Sequence, residues 1–250
     1  MGKEARVQAS GKVALVTGAA KRVGKAIALA LAQRGAHVAI SYHRSEAKAR
    51  QTVQEIEARG VHSLAVQGDI SRSAEVNAMV AQVIEHFGHI DVLVNNASNY
   101  YKTPFDSLTE DHWDDLVGTN LKGTFLVAKR VGDEMLKTGS GKIINLTDWA
   151  GFRPYKDYLP YCVAKAGVIA LTKALAQTLA PSIQVNAVAP GPVLLSEEFD
   201  DNIRQAVVRA TPLKRIGSPE DIAQTVVFLV EGSDFITGAT IVVDGGRLIA

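Results

Sequence analysis

The chain has 250 residues, 47% of them hydrophobic and 21% charged, and a formal net charge of +1. That is enough apolar material for a core on both faces of a sheet, and too little net charge to mark a nucleic-acid or anionic-membrane binder. A single cysteine, Cys162, excludes an internal disulfide and fits a reducing compartment. Met1–Ser10 lacks the apolar stretch of a secretory signal, and Arg6 stands where myristoylation would need Ser or Thr. No apolar run reaches membrane-spanning length, so a cytoplasmic location is expected. The glycosylation-like triplets Asn96-Ala97-Ser98 and Asn145-Leu146-Thr147 fall inside the candidate site of a non-secreted chain and are read as part of it.

Strand-like apolar runs alternate with helical patterns from end to end. Strands are expected at Val13–Thr17, Val38–Ser41, Ser63–Gln67, Val92–Asn95, Lys142–Thr147, Gln184–Ala189 and Thr240–Val243. Helices are expected near Gly24–Arg34, Glu46–Ala58, Ser73–Phe87, Asp111–Leu136, Tyr161–Leu179 and Pro219–Leu229. Nearly continuous apolar strands separated by helices predict an α/β fold: a parallel, doubly wound sheet covered on both faces. No composition break or repeat divides the chain, so residues 1–250 are read as one domain. Between Pro190 and Pro212 the rhythm lapses, which predicts a flap with a short helix around Asp200–Arg209.

The first strand runs into Thr17-Gly18-Ala19-Ala20-Lys21-Arg22-Val23-Gly24 and then a helix. A glycine turn there aims a helix N-terminus and its backbone N–H groups at a pyrophosphate. Arg22 takes a place where glycine is common and brings a fixed charge beside the phosphates. The second strand ends Ser41-Tyr42-His43-Arg44-Ser45, with no acid before Glu46. A carboxylate at that point would favour ribose hydroxyls and repel a 2′-phosphate. His43, Arg44 and Ser45, with Arg22, therefore favour NADPH over NADH, against the alternative of a solvated basic turn. Asp69 and Ile70 follow the third strand, where Asp69 either reaches the adenine or serves as a turn aspartate. Asn96 and Ala97 close the fourth strand where a dinucleotide would lie. Tyr100 and Tyr101 are aromatic faces in the loop beyond, suited to stacking on a flat ligand. Asn120 is an amide flanked by apolar residues in a helix and needs a partner.

The stretch Asn145–Lys165 organises the chemistry. Tyr161 and Lys165, four residues apart, share one helix face, and a neighbouring ammonium is expected to lower a phenol that titrates near pH 10. Taken alone, such a pair is as readily a surface contact. Asp148 stands where a strand ends and a loop begins, the usual place for catalytic groups in an open α/β sheet. Asp148, Tyr161 and Lys165 are the expected reaction centre, and Cys162, without a histidine near it in sequence, is read as packing. No metal site is expected.

Thr17-Gly18…Gly24, Asn95-Asn96-Ala97, Asn120, Tyr161…Lys165 and Pro190-Gly191, in that order, resemble the short-chain dehydrogenase/reductase family over the whole chain. The resemblance implies a seven-stranded sheet of order 3-2-1-4-5-6-7, hydride transfer with NAD(P), and a homotetramer. It implies that Tyr161 is the acid, that Lys165 holds the nicotinamide ribose, that Asn120 orders a relay water, and that Pro190, Gly191 and Val193 lie with the cofactor. Three departures stand out: Asp148 where most of the family has Ser, Arg22 for Gly, and Leu195 for Thr, with Ser196 as a stand-in. Thr147-Asp148-Trp149, Tyr42-His43-Arg44-Ser45 and the aromatics after Asn95-Asn96-Ala97-Ser98 resemble the pteridine reductase branch, which includes dihydromonapterin reductases. That branch implies a dihydropterin substrate touched by Arg22, Ser98 and Tyr161, with Tyr100 stacked on it and Asp148 helping Tyr161 protonate a ring nitrogen. The alternatives are a carbonyl reductase, acting on a 3-oxoacyl thioester or a sugar ketone, and a non-catalytic regulator that senses NADPH.

Overall fold

The computed structural model describes residues 9–194 and 200–250. Seven strands form one sheet: β1 (Val13–Val16), β2 (His37–Tyr42), β3 (Ser63–Gln67), β4 (Val92–Asn95), β5 (Gly141–Leu146), β6 (Ile183–Pro190) and β7 (Thr240–Val243). Their order is β3-β2-β1-β4-β5-β6-β7 and every pairing is parallel, in line with the sequence expectation.

The strands are apolar throughout because both faces are covered, and alternate side chains go to opposite cores. Ala14 and Val16 of β1, Val92 and Val94 of β4, and Ile144 of β5 face one core, built with α1 (Arg22–Gln33) and α8 (Pro219–Glu231). Leu15, Leu93 and Ile143 face the other, built with α3 (Ser73–Phe87) and α5 (Thr124–Thr138). Between β1 and β4 the winding reverses direction. In an open α/β sheet a ligand crevice is expected beyond the strand C-termini at such a reversal, and the candidate site residues lie at those strand ends.

The remaining helices are α2 (Glu46–Glu57), α4 (Glu110–Val117), α6 (Leu159–Leu179) and α7 (Asp201–Ala210). The helix expected to run unbroken over Asp111–Leu136 is divided. A π-helical turn over Gly118–Gly123 separates α4 from α5 and carries Asn120. Such wide turns leave a residue out of the regular ladder and recur where a backbone must present a side chain. In α6, Pro160 occupies the first turn, where its missing N–H costs nothing, so the helix begins two residues before Tyr161. By length and mean hydropathy α6 could cross a membrane, yet here it packs on β6 and α4. The short helix of the flap is observed as α7, one residue later than expected, capped by Asp200 Oδ1, which accepts from Ile203 N at 2.8 Å. Leu195 and Ser196 lie outside the described residues.

Candidate active site

The turn after β1 is built for close approach. Gly18 has φ +64°, and a Cβ on it would stand 2.8 Å from Ala97 Cα. A Cβ on Gly24 would overlap the Asn96 amide and come 2.7 Å from Gly18 O. Thr17 stitches the turn to β4: its Oγ1 accepts from Asn96 N at 2.9 Å and Ala97 N at 3.0 Å. Asn96 Nδ2 donates to Thr17 O at 2.9 Å and Gly18 O at 3.2 Å, so this amide shapes the turn. Gly18 N donates to Ser41 Oγ at 3.2 Å. Sequence reading passed over Thr17 and Ser41 in these roles; buried hydroxyls at the ends of apolar strands were the available signal.

Arg22 has φ +57°, the left-handed region in which glycine is free and an arginine costs about 1 kcal/mol. That explains why this place favours glycine. Its exposed guanidinium donates from Nη2 to Leu194 O at 3.3 Å. Lys21 is exposed and Val23 half-buried. The N-terminus of α1 has no side-chain cap and no acid in its first turn. Its first N–H groups are thus open to an anion, and the glycine cradle around them suits the pyrophosphate of a dinucleotide. At the end of β2, His43 and Arg44 are exposed and Ser45 half-buried. Asp69 behaves as a turn aspartate: Oδ1 accepts from Ser71 N at 2.9 Å and Ser71 Oγ at 2.8 Å, and Oδ2 lies 3.7 Å from Arg72 Nε. Ile70 is buried against Gly123 of the π turn. On the other flank Gly191 N donates to Val243 O at 2.9 Å, and a Cβ on Gly191 would stand 2.5 Å from Asp244 Cβ. Pro190 ends β6, and Val193 packs on the α1–α8 core.

The reaction centre forms where β5 meets α6. The Tyr161 hydroxyl donates to Asp148 Oδ2 at 3.0 Å. Asp148 Oδ1 accepts from Ala150 N at 2.8 Å, which caps a 3₁₀ turn over Trp149–Gly151. A Cβ on Gly151 would stand 3.0 Å from the Lys165 backbone, so glycine lets that turn rest on α6. Thr147 Oγ1 donates to Lys165 O at 2.7 Å, and Lys165 Nζ donates to Leu146 O at 3.0 Å. Nζ lies 5.6 Å from the Tyr161 ring centroid.

Burial sets the proton affinities here. It pushes the Asp148 carboxyl up to about 6, against the Ala150 N–H, the Lys165 charge and the Tyr161 hydroxyl. It pulls the Lys165 ammonium down to about 8, opposed by Asp148. The Tyr161 phenol is pushed well above its usual value, first by burial and then by the Asp148 carboxylate. This corrects the expectation of a lysine-lowered phenol: the carboxylate touches the hydroxyl, whereas the ammonium lies across the ring. Asp148 and Lys165 are therefore both drawn towards neutrality, the carboxyl from below and the ammonium from above.

Asn120 is buried and fully engaged. Its Nδ2 donates to Leu116 O at 2.9 Å and to Asn99 Oδ1 at 2.6 Å, and its Oδ1 accepts a short bond from Ser98 Oγ. Tyr100 lies across the centre, edge-on to Tyr161 at 4.9 Å and stacked on Tyr158 at 4.6 Å. Tyr155 meets Tyr158 edge-on at 5.2 Å and stacks on Trp149 at 5.6 Å, completing an aromatic row that sequence reading did not foresee. Tyr101 was expected over the crevice with Tyr100. It turns away instead, and its hydroxyl donates to Asp115 Oδ2 at 2.8 Å on α4. Cys162 is buried packing, and among the described residues no group of three or more His, Cys, Asp or Glu is placed to hold a metal ion.

A reversing parallel sheet, a glycine cradle on β1 and a Tyr161–Lys165 pair on α6 define a short-chain dehydrogenase/reductase, and the chain belongs to that family of NAD(P)-dependent oxidoreductases. Residues 18–247 match the family model described as Enoyl-(Acyl carrier protein) reductase. Among similar proteins, the 3-oxoacyl-[acyl-carrier-protein] reductase FabG of Staphylococcus epidermidis is 44% identical over 239 residues, covering 94% of this chain and 98% of its own. The (2S)-[(R)-hydroxy(phenyl)methyl]succinyl-CoA dehydrogenase subunit BbsD of Thauera aromatica is 40% identical over 242 residues, covering 94% and 96%. A gluconate 5-dehydrogenase from Burkholderia cenocepacia J2315, solved in complex with NADP and tartrate, superposes with a TM-score of 0.92 at 32% identity, covering 98% of each chain. These names fit the carbonyl-reductase alternative better than the pterin expectation.

Proposed function

We propose that the chain is an NADPH-dependent reductase that adds hydride to a C=N bond of a dihydropterin-type heterocycle. The observation that carries this is the 3.0 Å contact between the Tyr161 hydroxyl and the half-buried Asp148 carboxyl. NADPH, when bound, supplies the hydride. The chain's own task is then to hold the acceptor and deliver one proton to the nitrogen beside the reduced carbon. Tyr161, whose phenol burial and the Asp148 carboxylate push up, is the donor at the substrate, and Asp148, raised to about 6, restores that proton from its acid form. A serine at 148 could polarise a carbonyl oxygen but could not act as this reservoir. Tyr100 offers a ring face and Ser98 a hydroxyl to the heterocycle, with Arg22 at its edge. Asn120 holds the Ser98–Asn99 loop, and Lys165 supports the ribose. Arg44, with His43 and Ser45, supports the 2′-phosphate, which underlies the choice of NADPH.

A second reading is reduction of a 3-oxoacyl thioester, favoured by the names of relatives 40–44% identical to this chain. In that reaction Tyr161 would protonate the carbonyl oxygen, a step that a serine hydroxyl at position 148 would serve as well. One panel separates the two: dihydrobiopterin, dihydromonapterin and dihydrofolate against an acetoacetyl thioester, each with NADPH. Turnover of the thioester alone would replace the pterin reading with the carbonyl one, and oxidation of NADPH by none of them would revive the non-catalytic sensor. We place the chain in the cytoplasm as a single-domain homotetramer with a small-molecule substrate and no nucleic-acid or membrane partner.

A further inference from the structure

We propose that Arg247 anchors an anionic tail, a carboxylate or phosphate, carried by the substrate beyond the group that accepts hydride. This rests on the reductase reading above and names the part of the substrate that reading leaves open. The turn after β7 is shaped to present this one side chain. Asp244 Oδ1 accepts from Gly246 N at 2.8 Å and Oδ2 from Leu248 N at 2.6 Å. Gly245 and Gly246 both have positive φ, and a Cβ on Gly245 would stand 2.8 Å from Thr211 Cγ2, so the turn lies against the end of α7. Arg153, from the loop that follows Asp148, donates to Arg247 O at 3.4 Å and holds the turn from the other side.

The guanidinium so placed lies with Cζ 5.6 Å from the Trp149 ring centroid, one residue along from Asp148. Its Nη1 donates to Ala210 O at 2.7 Å. It is half-buried, and among the described residues no carboxylate pairs with it. Arg34, Arg50, Arg130 and Arg215 each meet an acid, and Arg22 and Arg153, which like Arg247 donate to carbonyls, are exposed rather than half-buried. A guanidinium has five N–H donors in a planar fork, and stacking on an indole fixes that plane. A cation partly withdrawn from water, oriented, and using one donor on a carbonyl is matched by an incoming anion. Trp149 directly follows Asp148 in the chain, so the fork stands one side chain away from the residue that meets Tyr161.

Both substrate readings offer such a tail: the glutamate of a folate-type pterin, or the phosphates of a coenzyme A thioester. The test compares dihydrofolate with dihydrobiopterin, and acetoacetyl-coenzyme A with acetoacetyl-N-acetylcysteamine, in wild type, Arg247→Ala and Arg247→Lys with NADPH. In Arg247→Ala the KM ratio of tailed to tail-free substrate should rise about tenfold in one pair, which also identifies the tail, with kcat little moved. Arg247→Lys keeps the charge without the fork and should recover part of that ratio. Calorimetric titration of the full chain with N-(4-aminobenzoyl)-L-glutamate against its diamide, and coenzyme A against pantetheine, decides the matter without turnover. If no pterin or thioester is reduced, the reductase reading fails, while the charged fragments still report on Arg247. Ratios unchanged in any pair that turns over, with charged fragments binding equally to wild type and Arg247→Ala, would overturn the anchor.

Discussion

Asp148 holds the most consequential departure from the usual family pattern, and its environment makes distinct demands on kinetics and stability. If its acid form refills Tyr161, kcat should fall as pH rises through about 6, with the slope of a single proton. Asp148→Asn should remove that limb and Asp148→Ser should collapse dihydropterin turnover, while NADPH affinity, measured by fluorescence titration, stays within about twofold. A flat profile in wild type would take Asp148 out of the proton path. The same burial bears on folding. A carboxyl raised in the folded state stabilises the fold when protonated, and that contribution is lost as pH rises from the unfolded value towards 6 and beyond. Relative to Asp148→Asn, wild type should lose about 1 kcal/mol between about pH 5 and pH 8 in urea titrations. Arg44 acts at the far end of the cofactor. Arg44→Ala should raise KM for NADPH by about tenfold or more and leave KM for NADH nearly unchanged, since only the former carries the 2′-phosphate. Equal effects on both cofactors would remove that assignment.

Each element is cut to bring these side chains together. The start of α1 can approach β4 only because residue 24 has no Cβ; Asn96 already fills that space. Gly24→Ala must displace the helix start or the amide, at a cost of about 1–3 kcal/mol. It should also weaken cofactor binding more than it slows turnover at saturation, as calorimetry and steady-state rates would show. The π turn at Gly118–Gly123 does comparable work on the opposite wall. It carries Asn120, whose amide holds the loop that carries Ser98 and Tyr100. Sequence pattern read one continuous helix here because a single inserted residue hardly disturbs apolar periodicity. The element boundaries elsewhere were legible within a residue or two, since glycine after helices and Ser218-Pro219 before α8 act through local backbone geometry.

Taken whole, the molecule leaves large apolar side chains at its surface on several elements, and two groups of them are suited to contacts between chains. Trp113, Phe125 and Val163 lie on α4, α5 and α6, and Phe228, Phe235 and Ile249 lie on α8 and near the β7 edge. Two such faces on one chain suit a closed assembly with two kinds of two-fold contact. Sedimentation equilibrium should therefore give four chains, and Phe125→Glu with Val163→Glu should reduce that to two. A wild-type monomer would remove the tetramer from the account.

The strand–helix alternation of a parallel sheet, the glycine turn after β1 and the Tyr161–Lys165 pair followed from sequence alone, because apolar periodicity, glycine at a turn and a four-residue helical spacing are local properties; the strand order followed only from the family resemblance. Tertiary structure decided the rest. Burial in the folded chain raises the Asp148 carboxyl to about 6, and burial likewise raised Tyr161 where its lysine neighbour alone suggested the reverse. Asp69 turned to Ser71, Tyr101 to Asp115, and Arg247 came to rest on Trp149, nearly a hundred residues earlier in the chain. Electrostatics and stacking depend on which groups share space, and sequence spacing does not fix that for residues on different elements.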